Sequence, residues 1–254
     1  MNVFITGASS GIGEALAREF STRGARLGLV ARRADALQAL VATLPGQHLT
    51  YGVDVTDTDA IVAAGRAFDE AVGGADLVIA NAGISLGVRT EFYEDLAQFR
   101  RVLDTNVLAL AATFHPFIAP MKARRRGTLV GIASVAGIRG LPGSEAYCAS
   151  KSAVITYCES LRVELAKSDV KVVTISPGFI RTPLTAKNPY GMPFLMDADA
   201  FARRAADAMV DGVRYRTIPW QMAWVSALLK VMPRALFDRL MKGRKQKPRA
   251  EGGK

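Results

Sequence analysis

Thr6-Gly7-Ala8-Ser9-Ser10-Gly11-Ile12-Gly13 lies between an apolar run, residues 2–6, and the segment Glu14-Ala15-Leu16-Ala17-Arg18-Glu19-Phe20. The order reads as strand, Gly-rich turn and amphipathic helix. Gly7, Gly11 and Gly13 permit positive φ, close backbone approach and tight packing of helix on strand. The first N–H groups of the helix, with its positive dipole end, then suit a pyrophosphate. Ser9, Ser10 and Ile12 complete the turn.

Working outward, the same unit recurs. A second apolar strand, residues 26–31, ends at Arg32-Arg33. In a dinucleotide-binding fold this strand end meets the adenosine ribose. A carboxylate there bonds the 2′-hydroxyl, whereas a guanidinium pairs with a 2′-phosphate. No acid stands at this strand end, so NADP(H) is expected rather than NAD(H). A helix over 34–44, a strand over 49–53 closed by Asp54-Val55, and a helix over 58–72 follow. The next strand ends in Asn81-Ala82-Gly83, again a short polar residue and a glycine at a strand's C-terminal edge. A long helical pattern over 96–122 carries Asn106 in its middle, where the amide competes for backbone hydrogen bonds. Strands over 128–133, 170–176 and 215–218 and a helix over 197–211 complete the body. This alternation predicts an α/β fold, a Rossmann-like doubly wound parallel β-sheet of about seven strands in a single domain.

A chemical grouping falls between residues 134 and 151. Ser134 ends the apolar run T-L-V-G-I-A-S, and Tyr147 and Lys151 are four apart on a helical pattern. That spacing puts phenol and ammonium on one face. A nearby cation lowers a tyrosine pKa toward the working range, and a serine hydroxyl can orient a substrate oxygen.

Composition narrows the classes. The 254 residues are 50% hydrophobic, with a net charge of +10. Nine Lys/Arg and two acids fall from Lys230 onward, so the body is nearly balanced and the C-terminus is a basic tail. No stretch of 18 uninterrupted apolar residues is present, and residues 1–7 read as strand and turn rather than as a signal peptide. Cys148 and Cys158 point in different directions on one helix, which suits free thiols and a cytoplasmic setting. His48 and His115 have no metal-ligand spacing, and no metal is expected.

T-G-A-S-S-G-I-G, D-V, N-A-G, the Asn106 segment, Ser134, Y-x-x-x-K and P-G-x-I-x-T together resemble the short-chain dehydrogenase/reductase family over residues 1–218. The resemblance implies that Tyr147 is the acid/base. Lys151 then lowers its pKa and binds the nicotinamide ribose, Ser134 orients the substrate oxygen, and Asn106 holds a water of the proton relay. It further implies that Asp54 and Val55 contact the adenine and that Asn81, Ala82 and Gly83 line the cofactor. Pro177 and Gly178 lead to Ile180 and Thr182 at the carboxamide. Arg32 and Arg33 match the members that prefer NADP. The implied activity is interconversion of a carbonyl and an alcohol by hydride transfer, in a homodimer or homotetramer built on the helices of Asn106 and Tyr147.

Residues 183–196 carry prolines among apolar residues and suit a substrate loop over a hydrophobic ketone, aldehyde or secondary alcohol. Residues 219–254 form an amphipathic helical extension in which Trp220, Trp224, Leu228 and Met232 recur every four residues and Pro233 breaks the pattern. It fits either a cover over the pocket or subunit interface, or peripheral contact with a membrane. The final dozen residues read as disordered. No nucleic-acid motif is present. The alternative function is an NADPH-binding regulatory or scaffold protein recruited to membrane by this extension.

Overall fold

The computed structural model describes residues 1–186, 188, 190–243 and 246–249. The chain enters at β1 (Asn2–Thr6) and continues through α1 (Gly11–Thr22), β2 (Arg26–Ala31), α2 (Ala34–Val41), β3 (Leu49–Gly52), α3 (Thr58–Val72) and β4 (Leu77–Ala80). A continuous helical run then comprises α4 (Asp95–Leu103), a π-helical turn (Asp104–Leu108) and α5 (Ala109–Ala123). β5 (Thr128–Ile132), α6 (Glu145–Glu164) and β6 (Lys171–Pro177) follow. The short strands β7 (Ile180–Arg181) and β8 (Met196–Asp197), α7 (Ala198–Val210) and β9 (Tyr215–Ile218) complete the body, and α8 (Trp220–Val231) and α9 (Arg234–Met241) extend it.

The main sheet is parallel throughout, in the order β3-β2-β1-β4-β5-β6-β9. The winding reverses between β1 and β4. Connections leave those two strands in opposite directions and open a crevice at their C-terminal ends. Both faces of the sheet are covered, so strands read as apolar runs whose residues nonetheless alternate in destination. Val3 and Ile5 join Leu16, Phe20, Phe201 and Met209 on the side of α1 and α7. Phe4 points the other way, into the cluster of Phe68 and Phe117 from α3 and α5. Its ring lies 5.1 Å from that of Phe117 and 5.4 Å from that of Phe68.

The run Asp95–Ala123 is long and apolar enough to cross a bilayer by length and composition. Here it packs as a core helix, α5 against α3 and α4 against α6.

Three expectations change. The helix expected over 34–44 stops at Val41, where Thr43 turns its hydroxyl back to the Leu40 carbonyl and the last turn tightens. The loop over 183–196 is closed at its base by β7 pairing with β8 and by Arg181–Asp197 at 2.8 Å; its Lys187 and Pro189 lie outside the described residues. The tail is not uniformly solvated. Gln246–Arg249 return to the body, where Arg249 meets the buried Asp95 carboxylate at 2.9 Å and stacks on Phe92 at 3.8 Å. Lys247 donates to the Ser85 carbonyl at 2.8 Å. The rest of the expected disordered segment, 244–245 and 250–254, lies outside the described residues.

Candidate active site

The crevice at the β1–β4 reversal is the mouth of a cleft of about 600 Å³. Its floor is the Gly-rich turn. Gly7 and Gly11 adopt φ of +68° and +58°. A Cβ on Gly13 would stand 2.2 Å from the Gly7 carbonyl, so only glycine lets α1 approach β1 this closely. Asn81 staples this turn to β4: its amide donates to the Thr6 carbonyl at 2.9 Å, and the Thr6 hydroxyl accepts the Asn81 and Ala82 N–H groups at 3.1 Å. Ser10 is the N-cap of α1, yet its hydroxyl makes no capping bond. With Ser10, Gly11 and Ile12 lining the cleft, the open helix N-terminus fits a pyrophosphate.

One end of the cleft is cationic. Arg32 and Arg33 leave β2 exposed, and Arg33 folds onto Ser9, donating to its carbonyl at 3.2 Å. Asp54 receives the Thr56 N–H and hydroxyl at 3.0 and 2.8 Å and lies 3.9 Å from Arg32. Partial burial pushes its carboxyl up, but those bonds and the Arg32 and Arg101 charges hold it below its ordinary value. Val55 is buried beside it. Arg101, Thr105 and Thr56 also line the cleft. Sequence reasoning missed them because their local patterns are those of ordinary helix surface or turn.

The other end is enclosed. β5 delivers Ser134, which is 7% exposed and accepts the Ala136 N–H at 3.1 Å. The first turns of α6 deliver Tyr147 and Lys151. Tyr147 keeps some exposed surface, but desolvation around its hydroxyl pushes the phenol up to about 12, with the Ser134 hydrogen bond pulling the other way. Lys151 is 5% exposed, and burial lowers its pKa to about 8. Its Nζ donates to the Ile132 carbonyl at 2.7 Å and lies 5.9 Å from the Tyr147 ring centre. The expected lowering of the tyrosine pKa by Lys151 is therefore not seen; burial dominates, and the ammonium is turned to the strand.

Asn106 is also placed differently from expectation. It sits in the π turn, 1% exposed, behind the cleft wall rather than on it. Its amide donates to the Ile84 carbonyl and to the Ser150 hydroxyl, both at 2.9 Å, and its oxygen accepts the Ile84 N–H at 2.8 Å. Ser150 in turn donates to the Tyr147 carbonyl at 2.8 Å. Both amide protons are thus used to brace α6 against the loop after β4. A Cβ on Gly83 would lie 3.2 Å from the Asn106 oxygen and 3.5 Å from Lys151 Nζ, so glycine keeps this wall open.

Gly7, Ser9, Ser10, Gly11, Ile12, Arg32, Arg33, Asp54, Val55, Asn81, Ala82, Gly83, Ser134, Tyr147, Lys151, Pro177, Gly178, Ile180 and Thr182 all line this one cleft. Gly13 lies beneath it. Among the described residues no group of three or more His, Cys, Asp or Glu is arranged to hold a metal ion.

A parallel sheet with a phosphate turn at its winding reversal, facing a Ser–Tyr–Lys grouping, defines a dinucleotide-dependent oxidoreductase. The sequence pattern of the family described as short chain dehydrogenase matches residues 1–191, and the chain belongs to that family. An uncharacterized oxidoreductase of Myxococcus xanthus is 41% identical over 237 residues, 92% of this chain and 93% of that protein. A short-chain dehydrogenase structure from Streptomyces avermitilis superposes with a TM-score of 0.80 at 25% identity, over 94% of this chain and 93% of that one. A structure of ElxO with NADP bound gives a TM-score of 0.76 at 25% identity, over 85% of this chain and 96% of that one.

Proposed function

We propose that the chain is an NADP(H)-dependent carbonyl reductase or alcohol dehydrogenase with Tyr147 as its acid/base. The observation that carries this reading is the single cleft with two unlike ends: guanidinium groups at the end of β2, and Ser134, Tyr147 and Lys151 enclosed at the other. NADP(H), when bound, supplies or accepts the hydride.

The residues do the rest. Arg32 and Arg33 pair with the 2′-phosphate, while the turn N–H groups hold the pyrophosphate. Ser134 and Tyr147 hydrogen-bond the carbonyl oxygen from one side, fixing the carbon that reacts. Tyr147 donates its proton as that oxygen gains charge; in reverse it takes the alcohol proton. Lys151 leaves Ile132 to bond a ribose hydroxyl, which brings a positive charge toward the phenol. Asn106 holds α6 and therefore Tyr147 in register, and the remaining lone pair of its side-chain oxygen is what its amide has left for a relay water. Leu184 lines the cleft and Phe194 is exposed on the loop above, which suits a hydrophobic ketone, aldehyde or secondary alcohol. The intact Ser–Tyr–Lys grouping favours turnover over a binding-only role. Dimers or tetramers through α4–α5 and α6 belong to the same reading, with Leu108 and Val163 exposed on those helices.

The test is single-turnover oxidation of NADPH and of NADH against a panel of ketones and aldehydes. Use of NADPH at far lower concentration is expected; equal or better use of NADH refutes the 2′-phosphate assignment.

A further inference from the structure

α8 is apolar on its outer face as well as on its inner one. Its outward residues are Trp220, Ala223, Trp224, Ala227, Leu228 and Val231, together with Lys230 at the edge. The apolar members follow steps of three and four along about 16 Å of helix. Trp220 is 63% exposed, Trp224 71%, Leu228 61% and Val231 77%. The inner face holds Met222, Val225 and Leu229 together with two polar side chains: Ser226 is buried, and the Gln221 Oε1 is buried without a hydrogen-bond partner among the described residues. A surface helix that serves only a soluble fold keeps its outer face polar.

α9 extends the face with exposed Leu236 and Leu240. The elbow between the two helices is fastened to the body, because Arg139 donates to the Met232 carbonyl at 3.3 Å and lies 4.5 Å from the centre of the buried Phe237 ring. The apolar face is therefore held in place rather than left by a loose helix. Lys230, Arg234, Arg239 and Lys242 are exposed along α8, α9 and the turn after them, against Asp238 as the single acid among the described residues of that stretch.

We infer that this face docks on the surface of a bilayer containing anionic lipid. Tryptophan and leucine side chains enter the headgroup boundary, and the cations sit at the level of the phosphates. A second copy of the chain fits less well. A two-fold interface places the same patch against itself, and here that would bring the cationic rims together. The inner face of α9, with Phe237 and Met241, lines a cavity of about 1340 Å³ that also takes in Ile138 and Leu141.

Trp220 and Trp224 are the only tryptophans in the sequence, so selectively excited tryptophan fluorescence reads this face alone. The full chain is titrated with phosphatidylcholine vesicles, with and without phosphatidylglycerol, and followed by emission and by flotation. Expected are a blue shift and flotation with the anionic vesicles, weakening as salt is added. K230Q/R234Q lowers the partition coefficient roughly 10- to 30-fold, and W220S/W224S abolishes flotation while cofactor binding is retained. Absence of both shift and flotation with anionic vesicles overturns the proposal. So does equal binding of neutral vesicles that K230Q/R234Q leaves unchanged. Emission already blue-shifted without lipid, rising with a doubling of mass, overturns it in favour of a second copy.

Discussion

Replacing Lys151 by Met tests how the enclosed end of the cleft is held. The ammonium is buried, and its pKa falls from 10.5 to about 8. Carrying the charge at pH 7 therefore costs the folded state roughly 3 kcal/mol relative to the neutral amine. The sign follows from proton release. Below pH 8 the lysine is charged in both folded and unfolded chains, and the full cost applies. Between 8 and 10.5 the folded chain gives up its proton first, so stability rises with pH. Above 10.5 both states are neutral and the cost is gone. Lys151→Met removes the cost but leaves the Ile132 carbonyl, now bonded at 2.7 Å, without its donor, a loss of about 1–3 kcal/mol. At pH 7 the variant should range from nearly neutral to more stable by about 2 kcal/mol, the difference between those two magnitudes. By pH 10 it should be the less stable protein. Urea unfolding of both proteins at pH 7, 8, 9 and 10 measures the difference, and groups common to both cancel. A stability difference that stays constant across this range refutes the burial argument. Turnover should be lost in the variant at every pH, since on the proposed reading Lys151 supplies the positive charge beside the phenol.

Tyr147→Phe should lower kcat by about 10²–10⁴-fold with NADPH affinity unchanged; loss of NADPH binding in step with kcat would sink the acid/base role. Arg32→Ala with Arg33→Ala should raise the Kd for NADPH by about 10- to 100-fold, the worth of charge-assisted bonds, and leave NADH alone, as checked by fluorescence titration. Arg249→Gln strips the Asp95 carboxyl of its guanidinium. Burial pushes that carboxyl up, but the Arg89 N–H and Arg249 hold it below its ordinary value. Its stabilising effect is thus present above about pH 4 and lost on acidification, so the drop in Tm should be larger at pH 7 than at pH 3; equal drops would show that the tail clasp carries no charge coupling. Leu108→Asp, in the π turn at the head of α5, should shift the molecular mass measured by light scattering toward the monomer; an unchanged mass would sink that interface.

The sheet was legible because both of its faces are covered. Each buried strand is a short apolar run, and each crossover helix shows its own period. The cleft was legible for a topological reason. Gly7, Asn81, Ser134 and Gly178 each follow a strand, and in a parallel sheet all those ends open on the same edge. What could not be read depends on contacts distant in sequence. Lys151 was expected to serve Tyr147, yet its nearest acceptor is the Ile132 carbonyl, which no pattern marks. Asn106 was expected to hold water, but Ile84 and Ser150 claim its amide protons. The tail's composition is that of a solvated segment; the buried Asp95, 154 positions earlier, decides otherwise for Arg249. The four-residue recurrence of Trp220, Trp224 and Leu228 was visible. Which way that stripe faces was not, because an apolar stripe reads alike whether it turns inward or outward.

The enclosed end of the cleft is set against the states its groups adopt in water. Burial drives the Tyr147 phenol up to about 12 and the Lys151 ammonium down to about 8. At neutral pH the phenol is therefore a held proton, and the serine that opposes its rise in pKa also touches the oxygen that would receive that proton on the proposed reading. A phenol in this state is a weaker acid than a free one, so burial alone does not prepare it to exchange its proton with a substrate. Proton acceptance from an alcohol first needs a positive charge beside Tyr147. The one buried cation near it is Lys151, now directed at Ile132 instead of the phenol. On the proposed reading, proton exchange at Tyr147 thus turns on which oxygen Lys151 bonds. Asn106 and Ser150 fix the helix on which both side chains stand and leave that choice to a single lysine rotamer.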